Sequence, residues 1–262
     1  MASVVGIGDF VGWDGAAMLI GKALNVTPRH AHQAIQIVFG YTGPVRLRGG
    51  NTGDWTPYPL AIIPSRLPHA MDATAATYNV VIFVEPETRI GRALTERYLG
   101  EGIASIEGTD VARAAADLFG VWLKPGAREA LIAPARRILQ MLTQDVQPST
   151  VTDDRIIRAV AHINANLAHP ITLNDVAAAA CLSPGRFRHL FVEQTGMGLR
   201  PYVLWRRFLR AWDLLARGES VSTAAHGAGF ADSAHFARTS RRTFGFPPSL
   251  LQVSGIQAVG RM

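Results

Sequence analysis

The C-terminal part of the chain writes one helical plan twice, and this limits the possible folds more than any other feature of the sequence. In the first copy, Thr172 with Asp175 three residues on is a capping-box-like helix start, and Val176, Ala177 and Ala180 give a short inward face. Leu182 and Ser183 make a turn. Ser183 is placed to cap a second helix that opens with Pro184, where a missing N–H costs nothing. Phe187, Leu190 and Phe191 recur at i, i+3 and i+4, so they face a core and turn Arg186, Arg188 and His189 outward. In the second copy Val221 to Gly229 forms the first helix and turn, and Phe230 to Phe244 the second helix. There Phe230, Phe236 and Phe244 read as core anchors, and Ser233, His235, Arg238, Arg241 and Arg242 as outward donors. Pro201 to Arg217 reads as one helix between the copies, opened by proline and stopped by Gly218. At 1.5 Å per residue it is roughly 25 Å long. Two helix-turn-helix units on such a spacer suit successive major grooves, roughly 34 Å apart, where arginine reaches guanine O6 and N7.

Charge is divided in the same way. Residues 1–150 carry 13 Lys+Arg against 13 Asp+Glu; residues 151–262 carry 13 against 7, so the whole +6 of the chain lies in the second part, and all of its cations are arginine. A neutral half joined to an arginine-only half fits a sensor fused to a phosphate-binding module. No run approaches the ~20 apolar residues of a membrane span, so no membrane partner is expected. Met1 to Asp9 has neither a basic n-region nor a long apolar core, which argues against a secretory signal. A single cysteine, Cys181, excludes an internal disulfide and reads as a small buried packing residue. A cytoplasmic location is expected.

Residues from about Arg155 to Gln252 resemble the DNA-binding domain of the AraC/XylS family of bacterial transcription regulators. The resemblance is carried by Thr172-Leu173-x-Asp175-Val176-Ala177, by Ser183 with Phe187 and Phe191, by Thr195-Gly196, by Gly229-Phe230-x-Asp232-Ser233-x-His235-Phe236-x-Arg238, and by Phe244-Gly245-Phe246-Pro247-Pro248. It implies a seven-helix domain whose base contacts come from Gly185, Arg188 and His189 in the first unit and Ser233, Ala234, His235 and Arg238 in the second. It also implies a small-molecule effector, a homodimer formed through helices that follow the sensor, activation rather than repression, and RNA polymerase as the partner of an activator. The chain departs from the family at Ala224-Ala225-His226-Gly227, where Ile-Ala is common, and at Ser240, where Phe is common. Both changes remove apolar volume, and the second unit is expected to be the less stable one.

Short β-like runs separated by Gly, Pro and Asn fill Asp9 to about Glu85, among them Ala34 to Phe39, Pro44 to Arg48, Leu60 to Ile63 and Tyr78 to Val84. Amphipathic helices follow at Ile90 to Tyr98, Val111 to Trp122 and Arg128 to Leu142. The expected class is therefore α+β with two domains. A cupin-like β-barrel over 1–88 is followed by a helical packing or dimerisation segment over 89–143, a linker over 144–154, and the all-α DNA-binding domain with its two units and linker helix over 155–253.

The spacing of Gly21, His30-x-His32, Gln36 and Gly43 resembles the first cupin motif, and Pro64 to His69 the second. In a strand His30 and His32 project to one face, so with His69 they can converge. Three neutral imidazoles would suit a divalent transition metal, although Gln36 stands where metal-binding cupins usually have Glu. Arg66, in place of a usual glycine, would bring a cation to the site or bind a carboxylate. The alternatives stay open at this point. Beside a metal stand two other readings: a small organic effector in the cavity, lined by His30, His32, Gln36, Arg66 and His69 with apolar walls from Ile35, Ile37 and Ile62, and a barrel that only packs. A metal-dependent cupin enzyme or metal sensor with a DNA-binding tail is the rival reading; the missing Glu at position 36 argues against catalysis, and neither an obligatory cofactor nor catalytic residues are expected.

Overall fold

The computed structural model describes residues 6–49, 53–100, 102–126, 128–144, 146–149, 152–244 and 246–253. Nine strands come first: β1 (Gly6–Trp13), β2 (Ala16–Ala23), β3 (Thr27–His30), β4 (Ile35–Tyr41), β5 (Val45–Gly49), β6 (Thr56–Tyr58), β7 (Leu60–Ile63), β8 (His69–Asp72) and β9 (Tyr78–Val84). Helix α1 (Arg89–Tyr98), the short β10 (Ala104–Ser105), α2 (Thr109–Trp122) and α3 (Ile132–Thr143) follow. The rest is helical: α4 (Asp154–Ala165), α5 (Leu173–Ala179), α6 (Pro184–Thr195), α7 (Leu199–Ala216), α8 (Val221–Gly227) and α9 (Ser233–Phe244), then a 3₁₀ turn and the strand β11 (Leu251–Val253). The α+β class expected from the sequence is the class observed, with the sheets first and the helices last. Positions 145, 150 and 151 of the expected linker, and 245 of the closing motif, lie outside the described residues.

The strands form two sheets, one ordered β10-β7-β4-β9-β2-β1-β11 and the other β3-β8-β5-β6. Side chains alternate across the larger sheet because the strand period is two. One face carries Met18, Ile20, Ile35, Ile37, Phe39, Ile62 and Ile82, which pack on Leu118, Phe119, Trp122, Ile138 and Leu142 of α2 and α3. Ile35, Ile37 and Ile62 are therefore not walls of the histidine cavity; they lie on the opposite face from Gln36, as alternation along one strand requires. The stripe Val111, Ala115, Leu118 and Trp122 likewise turns inward onto this sheet, and Trp122 Nε1 donates to Asp9 Oδ2 at 2.7 Å. This stripe is internal packing.

The other face of the large sheet carries Ala17, Val38, Ala61, Ile63, Val81 and Phe83, packed against Val45 and Leu47 of the smaller sheet. This core does not stop at the sheets. It runs on into Trp205, Phe208, Trp212, Phe230, Phe236 and Phe244, so the interior of the β-rich half and the core beneath α7–α9 are one apolar body. A separate core of Ile156, Ile163, Val176, Phe187, Phe191 and Tyr202 holds α4–α6 to the start of α7. Polar contacts close the remaining seam. Arg206 pairs with Glu85, the Tyr202 hydroxyl donates to Glu87 Oε1 at 2.6 Å, and Gln33 Nε2 donates to the Thr195 carbonyl at 2.5 Å.

Candidate functional site

The helix pair α5–α6 is built by local hydrogen bonds that the sequence specifies. Thr172 and Asp175 make the reciprocal capping box, and Ser183 caps α6 with Pro184 in its first turn. α6 buries Phe187 and Phe191, which leaves Gly185, Arg186, Arg188 and His189 exposed on one side. In the turn before it, Cys181 is exposed at φ +54, not buried as expected; this tight turn needs a left-handed residue, and a side chain there points to solvent. α7 begins at Leu199, two residues before Pro201, so the proline sits inside the first turn.

The second pair, α8–α9, is similar but not equivalent. α9 starts at Ser233, after Phe230, because Asp232 accepts from the His235 N–H at 2.6 Å. Ser233, Ala234, Arg238, Arg241 and Arg242 are exposed, whereas His235 is half-buried with its ring edge-on to Phe230. Ser240 is fully buried and donates to the Phe246 carbonyl at 2.5 Å. At Gly227 a Cβ would lie 2.9 Å from Leu214 Cδ1, the movable end of an α7 side chain, so α8 packs closely on α7 there. Gly229 sits at φ +84, and a Cβ would collide with the Leu167 carbonyl. That carbonyl accepts from Arg207 Nε at 3.0 Å, while Arg207 Nη2 reaches the His169 carbonyl at 2.8 Å. α7 is thus tied through Arg207 to the loop before the first pair, and the turn of the second pair packs against the same loop at Gly229.

A second constellation lies at the mouth of the two sheets. His30 ends β3, His69 opens β8 and is its register partner, and His32 lies beyond the end of β3, in the connection to β4. The two histidines of the His-x-His run are therefore not on one strand, yet a ring nitrogen from each of the three lies within 4.8 Å of the others. Gln36 Oε1 stands 2.8 Å from His32 Nε2 and 3.3 Å from His69 Nε2. Arg66 does not join them. At φ +62 its exposed side chain turns away and donates to the Gly196 carbonyl at 2.8 Å, after the end of α6.

Comparison with known proteins bears on the helical half first. Residues 176–252 match the family described as "Helix-turn-helix domain". The regulatory protein PocR of Salmonella typhimurium is 31% identical over 100 residues, 38% of this chain and 33% of that protein. The arabinose operon regulatory protein of Escherichia coli is 27% identical over 145 residues, 51% of this chain and 49% of that protein. This C-terminal segment is a helix-turn-helix domain of the AraC/XylS family. The chain spans between a third and a half of the length of these two relatives. ToxT of Vibrio cholerae superposes over 92% of this chain and 96% of its own with a TM-score of 0.58 at 14% identity, a likeness of fold that takes in the β-rich half.

The AraC/XylS domain supplies one wall of the histidine constellation. His32 stacks on Phe244 at 5.7 Å and on Trp205 at 5.8 Å, and His30 stacks on Phe244 at 6.3 Å. Burial holds all three imidazoles neutral: it is the main cause lowering His32 to about 3 and His30 well below the ordinary value, with His69 charge repulsion second in both, and it lowers His69 too. Beside them a cleft runs between the strands and the AraC/XylS domain, lined by Gly8, Leu19, Gly21, Val81, Phe83, Phe244 and Phe246, with Lys22 at its exposed rim. Trp205, Phe244, Met71 and Lys22 were not singled out for this site from the sequence. Trp205 and Phe244 read as ordinary core positions of a helical domain, and only the docking of the two halves turns them toward the histidines.

Proposed function

We propose that this chain is a sequence-specific DNA-binding transcription regulator whose cupin-like β-rich half senses a small effector. The reading rests on one observation above the others: the cleft is walled on one side by strands and on the other by Phe244 and Phe246, at the end of a helix with an exposed arginine face. A ligand there touches both halves at once, and so has differential affinity for docked and released arrangements of the DNA-binding domain. Arg186, Arg188 and His189 of α6, with Ser233, Arg238 and Arg241 of α9, are the assigned DNA-contacting residues, and His235 joins them by its outward edge. α7 separates the two heads over 18 residues, about 27 Å at 1.5 Å per residue.

The apolar lining with a lysine at the rim favours an amphipathic effector with an anionic end; a ToxT structure carries an unsaturated fatty acid. The reading includes cytoplasmic action as a homodimer and, as an activator, contact with RNA polymerase. It assigns no catalysis. Among the described residues no helix is long and apolar enough to cross a membrane. The test is selection of DNA fragments by the full-length chain, followed by footprinting and titration at several salt concentrations. A protected site of about two helical turns, with affinity falling steeply as salt rises, is expected; binding with no sequence enrichment overturns the proposal.

A further inference from the structure

We propose that His30, His32, His69 and Gln36 form a binding site for a divalent first-row transition-metal ion such as zinc(II), set in the seam between the two halves of the molecule. The orientation of the rings carries the argument. Each Nδ1 meets a backbone carbonyl: His30 to Pro28 at 2.8 Å, His32 to Ala34 at 3.1 Å, His69 to Leu67 at 2.9 Å. A carbonyl only accepts, so each Nδ1 keeps the proton and each neutral ring presents a bare Nε2 lone pair. Backbone carbonyls holding the outer nitrogen are the arrangement by which metal-binding histidines are oriented.

The bare nitrogens of His32 and His69 then face Gln36 Oε1, a third acceptor with no proton to share. A cation at this point satisfies all of them. The competing arrangement turns the Gln36 amide over, so that its NH₂ donates to both rings and its oxygen meets Met71 Sδ, 3.9 Å from the present amide nitrogen. Dimensions fit an ion. The ring centres are 4.4, 5.5 and 5.6 Å apart, against roughly 5 Å for imidazoles sharing one tetrahedral ion at about 2.0–2.1 Å. Imidazole nitrogen with one oxygen suits zinc, as it suits copper, iron and nickel, and among the described residues no thiolate or carboxylate joins the cluster.

Occupancy also has a mechanical consequence, and this part alone rests on the regulator reading. A ring coordinated to a dication carries positive charge, so the stacking of His32 on Phe244 and Trp205 gains a cation–π component. Metal therefore tightens the hold of the β-rich half on the AraC/XylS domain.

The test uses the full chain, stripped with chelator, titrated with zinc(II) and with cobalt(II) as the spectroscopic probe. One ion per chain, with the intense visible bands of four-coordinate cobalt, is expected, and both are lost in His69→Ala. Gln36→Glu supplies a charged ligand and is expected to tighten binding about tenfold or more, and Gln36→Leu to weaken it about tenfold. No stoichiometric binding by the wild-type chain, or binding retained in a folded His69→Ala, overturns the proposal. Should His69→Ala lose its circular-dichroism spectrum, Gln36→Glu decides: higher affinity supports the site, and unchanged or lost affinity assigns the amide as a hydrogen-bond bridge between empty rings. Metal content is read without DNA, so its failure leaves the regulator reading intact.

Discussion

Truncating Phe244 to alanine tests whether the two halves share one core. The ring is 6% exposed and stacks on Phe208 at 4.3 Å and Trp205 at 5.9 Å within the helical half. Across the seam it stacks on His32 at 5.7 Å and meets Phe83 edge-on at 5.7 Å. Removing a buried phenylalanine costs about 3–5 kcal/mol through lost transfer energy plus the cavity left behind. With rings from both halves around it the cavity cannot collapse without separating them, which places Phe244→Ala toward the upper end. Hydrogen exchange read by mass spectrometry locates the loss. At about 1.4 kcal/mol per factor of ten, amides that exchange through opening of this core speed up roughly a thousandfold. They are expected in β4 and β9 as well as in α8 and α9. Phe191→Ala is the matched control: its ring contacts Phe187 at 5.0 Å and Tyr202 at 5.1 Å in the separate core around α4–α6. It should speed exchange in those helices and leave β4 and β9 protected. If Phe244→Ala leaves β4 and β9 as protected as in the wild-type chain, the cores are independent and the reasoning from a shared apolar body fails.

Three further outcomes follow from the same structure. Arg188→Ala, on the exposed side of α6, is expected to cost about 1–3 kcal/mol at a selected DNA site and to relax preference at one base pair; equal weakening on every sequence would make it a phosphate contact. Glu87 is held above its ordinary value of 4.5, by burial first, with the Tyr202 hydrogen bond opposing only in part. A carboxyl raised in the folded state contributes stability that is complete below the unfolded value and is lost as pH rises through the folded one. Glu87→Gln should therefore gain on the wild-type chain as pH rises from 4.5 toward neutrality, in denaturant midpoints taken side by side; parallel curves would refute the assignment. Thr172→Ala removes the hydroxyl that accepts from the Asp175 N–H at 3.2 Å and is expected to destabilise α5 by about 1 kcal/mol, visible as faster exchange of its first-turn amides. An unchanged α5 would show that packing alone holds its start.

Local signals were legible wherever the cause was local. The capping box at Thr172 and Asp175, the cap at Ser183 and the Phe187–Phe191 stripe are read within a few residues, and the structure repeats them. Strands such as Leu60–Ile63 and Tyr78–Val84 were legible as apolar runs for the same reason. What failed depends on the partner across space. Alternation fixes that Ile35 and Ile37 oppose Gln36, but treating them together as cavity wall ignored that parity. The placement of His32 depends on where β3 ends, two residues before it, and that of Arg66 on the position of Gly196, which belongs to the other half of the chain. For Trp205 and Phe244 periodicity gives the buried face without saying whose side chains bury it.

Gly229 and Arg207 have a consequence for the kind of DNA site such a chain can accept. Because Arg207 of α7 holds the Leu167 and His169 carbonyls, and Gly229 in the turn of α8–α9 packs directly against the first of them, the two basic helices share one rigid gauge of both distance and rotational phase. One base pair inserted between their contact sites turns one half by roughly 34–36° about the duplex axis. A slack tether would forgive a whole inserted turn, since phase is then restored. This gauge would not, because it has no length to pay out.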